Sequence, residues 1–172
     1  MSDINISVSE AKQDKLQYVV ANFVVVNKEN KTVLLLQRSH REKVHPGKWA
    51  FPGGKLEHEN IAEMIQSEGV DPLDGVDNVL SKLAEKETKE EVGLSVNGES
   101  NRIIKNKVFV RPDGVPVFMV TLMTQYEGGE VKLEEGIEAA VWVTAEELDN
   151  YNCISGVQDE ARVALSLVDS NT

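Results

Sequence analysis

Three glutamates, Glu87, Glu90 and Glu91, occur at i, i+3 and i+4 of the segment Glu85-Lys86-Glu87-Thr88-Lys89-Glu90-Glu91. In a helix that spacing puts their carboxylates on one face. Like charges so placed repel, and a helix gains nothing from stacking them. Hard divalent cations such as Mg²⁺ or Mn²⁺ take oxygen ligands of this kind. The plain alternative is a solvated acidic face offset by Lys82, Lys86 and Lys89. Two flanking features favour the metal. Upstream, Pro52-Gly53-Gly54-Lys55-Leu56-Glu57 sets a turn beside a further glutamate, and glycines let backbone approach a ligand closely. Downstream, Gly93 stops the helix at once.

Elements on both sides must position these groups. Tyr18–Val26 is apolar and β-branched, as in a strand buried on both faces. Asn27–Lys31 is turn-forming and Thr32–Gln37 is a second strand, which makes a hairpin. Ser39 to Lys48 is basic and loop-like. Ile61, Met64 and Ile65 mark one face of a short helix ending before Gly69. Asp71-Pro72 and Asp74-Gly75 then reverse the chain. A stronger helix is expected from about Asp77, as N-cap, to Val92, with Val79, Leu80, Leu83 and Ala84 apolar. Ile103–Val110 and Val115–Thr124 flank Arg111-Pro112-Asp113-Gly114 as a second hairpin. Ala139–Val143 is a short strand, Thr144–Glu147 has capping-box spacing, and a final helix comes after Ser155. The order implies one α+β domain over 1–172, an α/β/α sandwich with a mixed central sheet. Residues 1–15 read as a lead-in.

Composition narrows the function. With 172 residues, 18 Lys+Arg against 29 Asp+Glu and a net charge of −11, no basic face is expected for a nucleic acid polymer or an anionic membrane. The single cysteine, Cys153, excludes an intramolecular disulfide and reads as a small buried hydrophobe. Neither a signal peptide nor a long apolar span is present in this sequence, so a cytoplasmic location is expected. Asp71–Asp77 fails as a calcium loop, because Leu73 and Lys82 occupy ligand positions. His40, His45 and His58 lack metal-ligand spacing. Arg38, Arg41 and Lys48 could meet phosphates or simply offset surface acid. Trp49 and Phe51 could stack on a base, with core packing the alternative role for Phe51.

At this point the sequence resembles the Nudix hydrolase family. Its signature runs glycine, five residues, glutamate, seven residues, then Arg-Glu-aliphatic-x-Glu-Glu-x-Gly-aliphatic. Gly53-Gly54-Lys55-Leu56-Glu57 matches the left half, and Lys86-Glu87-Thr88-Lys89-Glu90-Glu91-Val92-Gly93-Leu94 matches the right. Gly47–Pro52 is similar to the usual approach, and the likeness extends from Tyr18 to Trp142–Leu148. Counting from Gly54 puts the signature glutamate at Asn60, and counting back from Lys86 puts it at Asn78, 18 positions later. The difference is an insertion over roughly 58–76; an alternative alignment gives the role to Glu59 or Glu63. Lys86 replaces the signature arginine and Thr88 the aliphatic residue.

The resemblance implies a Nudix fold with a loop–helix–loop catalytic motif. It also implies metal-dependent attack on a nucleoside diphosphate linkage, with Mg²⁺ (or Mn²⁺) held by Gly53, Glu57, Glu87, Glu90 and Glu91. A base would come from that set or from Glu134, Glu135 or Glu138, with Glu138 carried as a catalytic candidate. Arg38, Trp49, Phe51 and Lys55 are the expected substrate contacts. Cleavage of a nucleoside triphosphate to monophosphate and pyrophosphate is the leading activity. ADP-ribose or nucleotide-sugar cleavage is the enzymatic alternative, and a non-catalytic nucleotide-binding module is the other. Isomerase chemistry lacks its cysteine-centred site here. A homodimer is a modest expectation, since many relatives dimerise.

Overall fold

The computed structural model describes residues 18–70, 75–111 and 114–169. The lead-in 1–15, the reversal at Asp71–Asp74 and the turn residues Pro112-Asp113 lie outside them. The strands are β1 (Tyr18–Asn27), β2 (Thr32–Arg38), β3 (Trp49–Ala50), β4 (Gly53–Lys55), β5 (Ser95–Val110), β6 (Pro116–Gly128) and β7 (Ile137–Val143). The helices are α1 (His58–Glu68), α2 (Val79–Val92) and α3 (Val157–Asp169), with a 3₁₀ turn at Leu148–Asn150. One mixed sheet runs β3-β2-β1-β6-β5, with β4 added to β1 and β7 to β2. The β1/β6 pair is parallel and the remaining pairs are antiparallel.

β1 is buried on both faces because its alternate residues feed two cores. Val24 and Val26 join Leu148, Ala161 and Leu165 on the α3 side. Ala21, Phe23 and Val25 join Leu83, Ala84 and Val92 of α2 on the other. Helices therefore cover both faces of the sheet. The apolar stripe of α2 buries Leu83, Ala84, Thr88 and Val92, which turns the glutamate face away from that core. Val92 is followed by Gly93 in the left-handed conformation (φ 74°), and the Gly93 amide closes the helix on the Lys89 carbonyl.

Three local expectations need correction. The residue before α2 is Asn78, not Asp77, and it is left-handed at φ 55°, a conformation asparagine tolerates. α1 begins at His58, three residues before its apolar pattern, because Asn60 Oδ1 accepts the Glu57 amide at 2.8 Å and secures a polar first turn. On α1 Met64 is buried, but Ile61 is 41% exposed and faces solvent. The capping-box spacing at Thr144–Glu147 does act, with the Thr144 amide donating to Glu147 Oε2 at 2.9 Å, but it opens a 3₁₀ turn in place of a short helix.

Thr88 is fully buried, and its Oγ1 has no hydrogen-bond partner among the described residues. Valine keeps the shape and removes the unsatisfied hydroxyl. Thr88→Val is expected to raise stability by about 1 kcal/mol in urea unfolding. A loss of stability would contradict the packing described.

Candidate active site

The carboxylates gather where β4 meets the last two turns of α2. Gly53 and Gly54 pair with Asn22 and Ala21 of β1. The Gly53 amide donates to Glu91 Oε2 at 3.0 Å. A Cβ on Gly54 would fall on the Glu87 carboxyl group, while one on Gly53 would lie 2.5 Å from the Ala21 carbonyl oxygen. Both glycines are therefore needed for close approach: Gly54 admits a carboxylate and Gly53 admits a neighbouring strand.

Burial dominates the electrostatics of this cluster. It pushes the Glu91 carboxyl up to about 8, helped by the charges of Glu87 and Glu134 and opposed by the Gly53 amide and Arg38. Glu87 is also raised, first by burial and then by Glu90, with Glu134 and Glu57 adding to the effect and Lys86 opposing it. Glu57, Glu90 and Glu134 thus act on Glu87, and Glu87 and Glu134 act on Glu91. Among the described residues, no three acidic, histidine or cysteine side chains stand close enough together to hold a metal ion as they are. The donor set still fits a hard dication. It is all oxygen, it lies against glycine backbone, and burial raises the proton affinity of Glu87 and Glu91, a cost that a bound cation would offset.

The segment after β6 supplies Glu134. Its backbone is fastened to the end of α2 by the Lys132 amide on the Val92 carbonyl (2.9 Å) and the Glu134 amide on the Glu91 carbonyl (3.0 Å). Gly93 and Gly129 make this contact possible, since a Cβ on either would lie 2.8 Å from a carbonyl oxygen of the other segment. Glu138 is placed differently. Its carboxylate accepts the His40 amide (2.8 Å) and the Ser39 hydroxyl (3.0 Å) and contacts His40 Nδ1 at 2.7 Å. These contacts, the His40 amide first, hold it down at about 2. A carboxylate so stabilised is a weak proton acceptor, and its visible work is to fasten the loop after β2.

The expected substrate contacts divide. Arg38 braces the same loop through Nε on the Val44 carbonyl (3.0 Å) and a 2.8 Å pair with Glu42, and its charge reaches Glu91. Lys55 is exposed beside Glu57 (3.8 Å) and over the Tyr18 ring (5.9 Å). Trp49 packs on the α3-side core, edge-on to Tyr151 at 5.1 Å. Phe51 is 7% exposed within that core, so its ring packs the interior and does not face a base. Cys153 is buried there as well, which raises its thiol. Asn22 escaped the sequence reading. Its signal was a lone amide inside an otherwise apolar strand, and it lies beside Gly53 with Nδ2 on Met119 Sδ at 3.4 Å.

α1 stands beside α2, tied to it by Lys86–Glu63 (3.1 Å) and Lys82–Glu68. The hydrogen bond to Glu63 raises Lys86, the residue in the signature arginine position. Lysine lacks the planar fork of arginine, and it is α1 that supplies its carboxylate partner.

Known proteins share the fold that carries these residues. The NUDIX domain profile matches residues 16–66, from the start of β1 into α1. That stretch of the chain is similar to the NUDIX domain. The Nudix fold extends well beyond that stretch. A NUDIX hydrolase from Alicyclobacillus acidocaldarius is 20% identical, with TM-score 0.64 over 86% of this chain and 90% of that one. A MutT protein from Methanosarcina mazei Go1 is 20% identical, with TM-score 0.60 over 93% and 98%. An ADP-ribose pyrophosphatase from Streptococcus suis 89-1591 is 19% identical, with TM-score 0.58 over 90% and 94%. No curated protein sequence matches the chain. Among the described residues no helix is long and apolar enough to cross a membrane.

Proposed function

We propose that this chain is a divalent-metal-dependent pyrophosphohydrolase that cleaves a nucleoside diphosphate linkage. The observation that carries the reading is the pair Glu87 and Glu91, half-buried against Gly54 and Gly53, with Glu134 acting on both and Glu57 and Glu90 acting on Glu87. Glu57, Glu87, Glu90 and Glu91 would hold Mg²⁺ or Mn²⁺, which supplies charge neutralisation for the pyrophosphate and a more acidic water. Arg38, whose charge reaches Glu91, and Lys55, beside Glu57, suit an anionic substrate. Glu134, delivered by its own backbone to the end of α2, is the better placed proton acceptor. Glu138 braces the loop.

A nucleoside triphosphate giving monophosphate and pyrophosphate is the first substrate class, and ADP-ribose or a nucleotide sugar the second. The test is product release over a nucleotide panel with Mg²⁺ or Mn²⁺, with chelation as the control. Activity is expected only with the dication and is expected to peak at alkaline pH, because bound water and Glu91 must both lose protons. A profile peaking below neutrality in folded protein would contradict this. Within the same assay, Glu134→Gln is expected to lower kcat by about 10²-fold and Glu138→Gln by far less. The reverse order would return the base role to Glu138.

A further inference from the structure

Across the α3-side face of the sheet, four residues stand side by side in register on four strands: Lys55 of β4, Val20 of β1, Met119 of β6 and Lys107 of β5. Directly opposed residues share a face, so this is one continuous row with a lysine at each end. All four keep solvent exposure. Three strand spacings of about 4.8 Å make the row roughly 14 Å across.

The rows on either side fix its surroundings. On one side lie Gly53, Asn22, Thr121 and Lys105, and the Gly53 amide leads straight to Glu91. There α3 closes the face, with buried Glu160 accepting the Thr121 hydroxyl (3.0 Å) and pairing with Lys105 (3.1 Å). On the other side Tyr18 and Phe109 lie under the two lysines. Lys55 Nζ is 5.9 Å from the Tyr18 ring and Lys107 Nζ is 5.4 Å from that of Phe109. Each ammonium thus lies over an aromatic ring, and Lys55 also faces Glu57 at 3.8 Å.

This arrangement is an apolar floor, Val20 and Met119, with a cation at each end, in a chain whose net charge is −11. A flat ring suits such a floor, the more so beside a polarizable methionine sulfur. Lys55, next to Gly53, accounts for the pyrophosphate end. Lys107, three strands away, meets nothing that a bare nucleoside would carry. We propose that this row seats the nucleoside and that Lys107 takes a phosphate ester on its far side. The preferred substrate is then a nucleoside diphosphate derivative whose nucleoside bears a second phosphate. The inference rests on the pyrophosphohydrolase reading for its pyrophosphate end, but its test does not need turnover.

Binding is measured by calorimetry on the full chain in EDTA, with adenosine 3′,5′-bisphosphate and adenosine 5′-monophosphate as probes. The bisphosphate is expected to bind at least about tenfold more tightly, and Lys107→Met is expected to bring the two affinities together, a loss equivalent to about 1.4 kcal/mol. Lys107 is exposed on an edge strand, so this variant keeps its fold; circular dichroism checks that. Equal affinities in the unaltered chain, no binding of either probe, or a preference unchanged in Lys107→Met would overturn the proposal. Failure of the hydrolase reading would show separately, as absent product release with metal.

Discussion

Turnover in the double variant Glu87→Gln, Glu91→Gln is expected to fall by about 10³-fold or more, since a bound dication supplies several kcal/mol of charge stabilisation. The fold is expected to gain. Glu91 sits at about 8 against an ordinary value of 4.5, so the folded chain keeps a proton that the unfolded chain gives up. Stability from this group is complete below about pH 4.5 and is lost as pH rises through about 8. Glutamine keeps an oxygen for the Gly53 amide and carries no charge. Metal-free Glu91→Gln should therefore be more stable than the unaltered chain above pH 8, by on the order of a few kcal/mol. The reverse order should hold when Mg²⁺ is added, because only the glutamate form gains from binding. Thermal unfolding at pH 6 and 9, with and without Mg²⁺, reads both signs. Full activity in the folded double variant would remove the metal assignment.

The second large effect lies in backbone space. Gly54→Ala is expected to lower kcat by about 10²-fold with little loss of stability, because the new methyl displaces the end of a side chain, Glu87, which has room to swing. Gly53→Ala, one residue away, strikes the Ala21 carbonyl at 2.5 Å and must part β4 from β1. That variant is expected to lose stability and activity together. The contrast separates a glycine kept for a catalytic group from one kept for strand pairing. Equal destabilisation of both, measured by urea unfolding beside kcat, would count against it.

The legible features were those written in local chemistry. The two-faced apolar run of β1, the Gly93 stop and the i, i+3, i+4 glutamates each carry a period or a φ requirement that one segment declares by itself. Less legible were features settled by a distant partner. Nothing near Glu138 announces that Ser39 and His40 will occupy it, 99 and 98 positions away in the chain. Phe51 reads as core packing ahead of base stacking, and which core it joins, with Val24, Leu148 and Leu165, is set by distant segments. Asn60 and Asn78, the two positions at which the signature glutamate could fall, both turned out to lie at helix starts. Asn60 caps α1 through its side chain, whereas Asn78 makes no side-chain cap bond and takes the left-handed backbone that asparagine tolerates.

The fastening of the segment after β6 to the end of α2 has a dynamic consequence. The amides of Lys132 and Glu134 are bonded to carbonyls that a helix end ordinarily leaves to water. Each can exchange its hydrogen only when the contact between that segment and the last turn of α2 opens. The side chain of Glu91 is meanwhile tied to β4 and its carbonyl to Glu134, so fraying of that turn would release both attachments in one opening event. Slow, matched deuterium uptake at residues 132 and 134, together with Gly53, would mark the carboxylate cluster as one cooperative unit, whereas the exposed turn amides of Glu29 and Asn30, held only by Asn27 Oδ1, should exchange far sooner.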